Sequence, residues 1–442
     1  MTRAWLAAVA IVGATGGGST GCEQRAREVQ NEADLKQAVQ QMIPAVERAT
    51  RLRFRQRPVV LRRSRAQVRD YVIHKFDDDL PPAELDGAQA AYRLFGLIPD
   101  SLDLRRTMVD LLTEQVAGYF DPDSNALYIP TDIDPSQARL VISHELVHAL
   151  QHQYLNLDSL VELKRQNDRR SAAQAILEGQ ATLAQILVLM PEQKIESLPN
   201  FWDLRTALGG QQDQMKVFGS APLWLRESLI FPYLGGAEFV RWFDHEYPGK
   251  QPYGVLMPIS TEQILHPARY VAGDRPDALA FESPGPDTVR YEDGLGEFEI
   301  RLLLQQHLGD DSAAALYAAG WDGDRYQVLG IRSAGRARGA RGARGVKGAR
   351  GARGPGRAAA GAGGADALVW YTLWDDKAAA ARFAQGLGRA WAKRRSGGAP
   401  ARRSEIKQLL VSAVHVVRLV DAPVGWAGWK RVPLIRVTRV AR

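Results

Sequence analysis

The segment Ser143-His144-Glu145-Leu146-Val147-His148 sets two imidazoles four residues apart with a carboxylate beside the first. In a helix that spacing puts His144 and His148 on one face, where they can share one metal ion. Two imidazole nitrogens suit zinc. Glu145 is then placed to take a proton from water as general base. The plainer alternative is a pair of packed core histidines. A hydrolytic zinc site uses three protein ligands and keeps one position open, so a third ligand is needed. His152 lies roughly 12 Å from His144 along a helix axis, which is too far for one ion. Glu178, in Ala175-Ile176-Leu177-Glu178-Gly179-Gln180-Ala181, is the better candidate. A helix-surface carboxylate is its plain reading.

HExxH followed by a helical EGxA resembles the gluzincin metallopeptidases, in particular their aminopeptidase-like branch. The resemblance covers roughly 115–245. It implies zinc held by His144, His148 and Glu178, with Glu145 as general base. The metzincin pattern HExxHxxGxxH does not fit, because Gln151 and Tyr154 occupy its glycine and last histidine positions. Gluzincins often stabilise the oxyanion with a Tyr or His from a downstream helix. Tyr233 is the candidate here, with His245 and His266 as alternatives. Thr182 stands where some gluzincins keep a carboxylate that orients a ligand histidine. In zincins the strand before the metal helix usually pairs with extended substrate, which points to Ala126–Ile129. The Gly-rich motif that anchors a free amine in aminopeptidases is not visible in 120–143, which favours endopeptidase action.

Several elements must position these residues. Asp134-Pro135 is a helix start, with Asp as N-cap and Pro at the first helical position, and the helix runs to about His152. Apolar and aromatic runs at 118–120 and 126–129 flank the turn-rich Asp121–Asn125 and predict a β-hairpin. A second apolar helix spans about 171–190 and stops at Pro191. Gly179 suits a close helix contact beside a buried ligand. Further helices are expected at about 35–46, 222–247, 295–308 and 377–391. Strands are expected near 58–61, 326–331, 368–373 and 414–420. The fold class is α+β: a mainly helical zincin-like domain with a small antiparallel sheet, plus a C-terminal α+β region. The expected organisation is a leader at 1–21, a tether and helical region at 22–100, a metallopeptidase-like domain at 101–285 and a C-terminal region at 286–442. Trp370, Trp374, Trp391, Trp426 and Trp429 are read as core packing.

The chain opens with a short basic segment and ten apolar residues from Trp5 to Ala14, too short to span a bilayer and suited to a signal peptide. Ser19-Thr20-Gly21-Cys22 looks like a bacterial lipobox, with Ser19 departing from the usual apolar residue. Cys22 is the single cysteine, so no intrachain disulfide forms. The expectation is lipidation at Cys22 and attachment to the bacterial envelope, on the periplasmic or outer-membrane face. Secretion is the alternative.

The 442 residues carry a formal net charge of +7, but unevenly. Residues 332–357 contribute +9 and 389–442 contribute +11, which leaves −13 on the remainder. Gly falls at every third position from 339 to 354, within a Gly-Ala-Arg tract at 333–364 that cannot bury a core. It reads as a disordered surface insertion, with an electrostatic arm as the alternative. No phosphate loop and no further cysteine nucleophile are present. A wholly disordered chain, a coiled coil and a polytopic membrane protein are excluded by composition. The functional expectation is a zinc-dependent peptidase acting on peptides or proteins. It is anchored to the membrane by lipid and has no specific nucleic-acid partner. The alternative is a non-catalytic zincin-like envelope lipoprotein that acts as a binding or structural module. Oligomeric state is open.

Overall fold

The computed structural model describes residues 7–9, 32–156, 163–201, 203, 215–282, 287–331, 366–395 and 401–440. Cys22, most of the expected leader and the Gly-Ala-Arg tract lie outside the described residues. The fold is α+β.

The first half is built around a small sheet and buried helices. Helix α1 (Glu32–Thr50) buries Leu35, Val39, Met42, Ile43 and Val46, spaced by three and four residues on one stripe. Strand β2 (Val59–Arg63) follows. Helix α2 (Arg65–Asp79) begins in a capping box. Ser64 Oγ accepts from Gln67 N at 3.3 Å, and Gln67 Oε1 accepts from Ser64 N at 2.9 Å, so two end groups of the helix are satisfied. Helix α3 (Pro82–Phe95) ends at Gly96, whose φ of 71° is a left-handed cap. Helix α4 (Leu104–Gln115) is capped by Asp103 and runs directly into strand β3 (Val116–Asp121). Strand β4 (Ala126–Pro130) closes the expected hairpin. Helix α5 (Pro135–His152) starts at the Pro read from sequence.

The strand order is β1-β3-β4-β2, with β1 being Ala7–Val9. β1 and β4 both run antiparallel to β3, whereas β2 runs parallel to β4. The sheet is therefore mixed rather than wholly antiparallel, because α2 to α4 carry the chain from β2 to the hairpin. One core cluster joins α1, β2, β4 and α5.

Helix α6 (Asn167–Leu189) and helix α7 (Leu223–Glu246) form the most extensive helix pair. By length and hydropathy α6 could cross a membrane, but 61% of its apolar window is buried inside the fold. It is a core helix.

The second half is a five-stranded antiparallel sheet in the order β6 (Thr288–Asp293), β7 (Trp321–Gly330), β8 (Asp366–Trp374), β10 (Val414–Pro423) and β9 (Arg402–Val411). All nine residues of β8 are buried because both faces are covered. Leu368, Trp370 and Trp374 pack on one side with helix α8 (Gly296–Leu308) and helix α10 (Lys377–Arg395). The short helix α9 (Asp311–Ala318) follows α8. Val369, Tyr371 and Leu373 pack on the other side. A ribbon of β5 (Ala278–Phe281) with β11 (Ile435–Thr438) lies there. This alternation is the period of a strand buried on both faces. Trp370, Trp374, Trp391 and Trp426 are buried, as the packing reading expected.

Candidate metal centre

Helix α5 is buried without interruption from Val141 to Gln151, held between the sheet, α1 and α6. Its helical spacing brings His144 and His148 onto one side, with ring centroids 4.8 Å apart. Glu178 reaches them from the middle of α6. Its Oε2 lies 3.1 Å from His144 Nε2 and 3.4 Å from His148 Nε2. Possible ligand atoms of the three residues lie within 4.8 Å of one another.

Two glycines let α6 deliver that carboxylate. A Cβ on Gly179 would sit 2.1 Å from the Gly236 carbonyl carbon. A Cβ on Gly236 would sit 1.9 Å from the Ala175 carbonyl oxygen. Both distances are impossible for real side chains, so only glycine permits this crossing of α6 and α7. The close approach read into Gly179 is present, and Gly236 is its unforeseen counterpart.

The electrostatics are those of a buried acid facing two bases. Burial opposes ionisation of Glu178, but the His148 charge and the hydrogen bond with His144 outweigh it and hold the carboxyl at about 2. Burial also opposes protonation of His148, but Glu178 and then Glu145 raise it to about 9. His144 shifts down, chiefly through burial. Glu145 is fully buried, and its charge acts on His148.

The donor set fits a metal ion. Zinc ligands at about 2.0–2.2 Å in a tetrahedron lie about 3.3–3.6 Å from each other. The His148–Glu178 distance of 3.4 Å falls on that edge, and the His144–Glu178 distance of 3.1 Å is slightly shorter. His148 Nε2 and Glu178 Oε1 are buried and make no hydrogen bond among the described residues. The three residues can therefore hold one metal ion.

Sequence reasoning missed the support behind His148. Its Nδ1 lies 2.9 Å from Gln151 Oε1. Gln151 Nε2 donates to the Leu177 carbonyl at 2.9 Å and to Gln180 Oε1 at 3.0 Å, which leaves its oxygen turned toward the ring. Tyr253 also donates to Gln180 Oε1. Gln180 Nε2 donates to Gln251 Oε1 at 2.8 Å, and Gln251 Nε2 to the Thr50 carbonyl at 2.8 Å. This chain of amides turns Nε2 of His148 toward Glu178 and fixes the ring's tautomer. Gln151 stands three residues after His148 on the same helix. That local spacing was visible, although it was weighed only as a mismatch to the metzincin pattern.

The remaining candidates separate cleanly. Tyr233 is buried on α7 with its ring stacked on His144, centroids 6.0 Å apart and planes 28° apart. His245 is exposed and pairs with Glu246 at 3.0 Å. His266 pairs with Glu297 at 2.8 Å. His152 packs against Phe120 at 5.9 Å and is outside the ligand group.

The expected substrate strand needs correction. β4 is hydrogen-bonded on both sides, to β3 and to β2, so Ala126–Ile129 cannot accept another strand. The far side of β3 is the one that takes an added segment: Ala7 pairs with Tyr119 and Val9 with Val116. Adjacency to the metal helix in sequence did not reveal which hairpin strand is outermost.

Comparison with known proteins reaches the other half of the chain. A family model described as a domain of unknown function, DUF8575, matches residues 287–421. It contains none of the metal-site residues. No curated protein matches the chain. Among solved structures, a protein from Chloroflexus aurantiacus described as a candidate hydrolase with a novel fold is similar. The match has 16% identity and a TM-score of 0.35, and it covers 55% of this chain and 91% of that one.

Proposed function

We propose that this protein is a zinc-dependent peptidase of the gluzincin type, with His144, His148 and Glu178 as ligands and Glu145 as general base. The observation that carries the reading is the convergence of both His Nε2 atoms on Glu178 Oε2 in a fully buried site. When bound, zinc supplies Lewis acidity that lets water ionise near neutral pH and polarises a carbonyl oxygen. Glu145, next to His144, takes the proton from the attacking water and returns it to the leaving amine. Tyr233, stacked on His144, donates its hydroxyl hydrogen to the carbonyl oxygen as negative charge develops there. Gln151 holds His148 in one tautomer.

A peptide substrate adds antiparallel to the outer side of β3, in the register that Ala7–Val9 occupies. Removal of a leader at 1–21 frees that edge. Internal cleavage fits this mode, since an added strand runs past the site in both directions. Lipidation at Cys22 would tether the enzyme to the bacterial envelope, with secretion as the alternative.

The full chain, purified with zinc, is expected to hold one equivalent of metal and to cleave an unfolded protein. Glu145→Gln is expected to keep the metal and lose cleavage by about 10²–10⁴-fold. Metal retained with no cleavage of any peptide library would overturn the catalytic reading in favour of a non-catalytic binding module.

A further inference from the structure

The C-terminal sheet ends at β9 on one side and at β6 on the other. The two edges differ. β6 has six residues and a bulge between Val289 and Tyr291, two features that discourage a further strand from pairing. β9 has ten residues, no proline and an unbroken register along β10. Among the described residues no strand pairs with its outer side. On β9, Leu410 is 66% exposed, and Ile406 and Leu409 are half-buried. A long, open edge with an exposed apolar side chain is a template for strand pairing.

The hairpin decides which backbone groups face outward. Ser412 and Ala413 have φ of 50° and 61°, a two-residue turn of the primed type. The flanking pair Val411 and Val414 is then hydrogen-bonded, as is every second pair beyond it. Val424 N donates to the Ala401 carbonyl at 3.2 Å in the same phase. The backbone groups of Ile406, Gln408 and Leu410 therefore point away from β10. Donors and acceptors at strand spacing match an extended polypeptide.

Charge selects which polypeptide. Glu405 and Lys407 lie on one face of β9, 3.1 Å apart. A second β9, antiparallel and centred on Ile406, overlaps residues 402–410. That register sets Glu405 of each copy against Lys407 of the other, at the closely spaced pairs that are not hydrogen-bonded. A register centred on Lys407 is equally long, but it sets two ammonium groups against each other.

We propose that β9 is a dimer edge: it pairs antiparallel with β9 of a second copy of this chain, about a two-fold axis beside Ile406. The two five-stranded sheets then become one continuous sheet. Such an interface is self-complementary, as two-fold symmetry requires. β9 lies within residues 287–421, the region matched by the family model. Dimer formation gives a role to the half of the chain that holds none of the metal-site residues. It does not depend on the metal.

Sedimentation equilibrium of the full chain tests it, and a concentration-dependent dimer is expected. Glu405→Lys or Lys407→Glu alone sets like charges opposite each other at both pairs and should weaken the dimer about tenfold. The double variant exchanges the two charges and should restore the dimer, which a merely structural pair would not do. Gln408→Pro removes an outward N–H and spares the ladder to β10, since proline is tolerated on an open edge. It should abolish the dimer in a chain whose circular dichroism is unchanged. A monomer at every concentration, a dimer unaffected by Gln408→Pro, or a double variant no better than the single ones would overturn the proposal. These outcomes are read without zinc, so they stand apart from any failure of the peptidase reading.

Discussion

Glu178 and Asp421 are both buried carboxylates, one in the helical half and one in the C-terminal sheet, yet their surroundings differ in kind. Asp421 on β10 has both oxygens taken. Arg402 Nε donates to one at 2.5 Å, and Trp391 Nε1 and Arg394 donate to the other at 2.8 and 3.4 Å. Those donors come from α10 and β9, so the carboxylate ties helix to sheet. Glu178 faces two imidazoles instead, and its Oε1 makes no hydrogen bond among the described residues. An arginine stays charged, so its pairing with Asp421 is permanent. An imidazole can give up its proton and become a neutral ligand. The C-terminal carboxylate is spent on structure, whereas the helical one keeps capacity for an ion.

The comparison can be broken most forcefully at Asp421. Asp421→Ala removes a buried carboxylate and leaves the half-buried Arg402 without its acid, and is expected to cost about 3–5 kcal/mol in denaturant unfolding. Zinc affinity should not change. A loss under 1 kcal/mol would mean that the cluster is ornamental. Next in size is zinc itself. At a hundred times its dissociation constant it should stabilise the chain by about 2.7 kcal/mol. That gain should appear as a raised melting temperature, vanish with chelator and be absent in Glu178→Ala. An equal shift in that variant would place the metal elsewhere.

Gln151→Leu probes the difference more finely. It removes the acceptor behind His148 and should weaken zinc binding by about 10–100-fold, read by competition with a chelating dye. Unchanged affinity would show that the amide chain only packs. The smallest effect is expected from deleting 336–357. Loops tolerate length changes cheaply, so stability should move by less than about 0.5 kcal/mol and cleavage should persist. Lost folding would show that the tract is more than an insertion.

Most helices were legible because their signals are local. The Leu35–Val46 stripe, the Asp134-Pro135 start and the stop at Pro191 each act within a few residues. The hairpin at 116–130 was equally plain. Strand β9 was missed, since all its residues are exposed or half-buried, with Arg402, Arg403 and Lys407 among them. It gains its place only by pairing along the whole of β10. The place of β4 between β3 and β2 was also illegible, because strand order is decided by contacts between segments far apart in the chain. At the site, the three candidate ligands and the proposed base were named from motifs, but the amide chain from Gln151 to Thr50 was not. It joins four separated segments through hydrogen bonds that no local pattern encodes.

What the amino-acid sequence determined alone is the pairing of His144 with His148, because helical periodicity puts positions four apart on one face whatever surrounds them. It also determined that α6 could come close to another helix, since Gly179 has no Cβ. Tertiary structure decided the rest. It brought Gly236 against Gly179 so that Glu178 meets the imidazoles, turned Gln151 toward His148, and paired β4 with β3 and β2 while β1 joins the far side of β3. Each depends on packing and hydrogen bonding between segments distant in the chain, which local residue preferences do not specify.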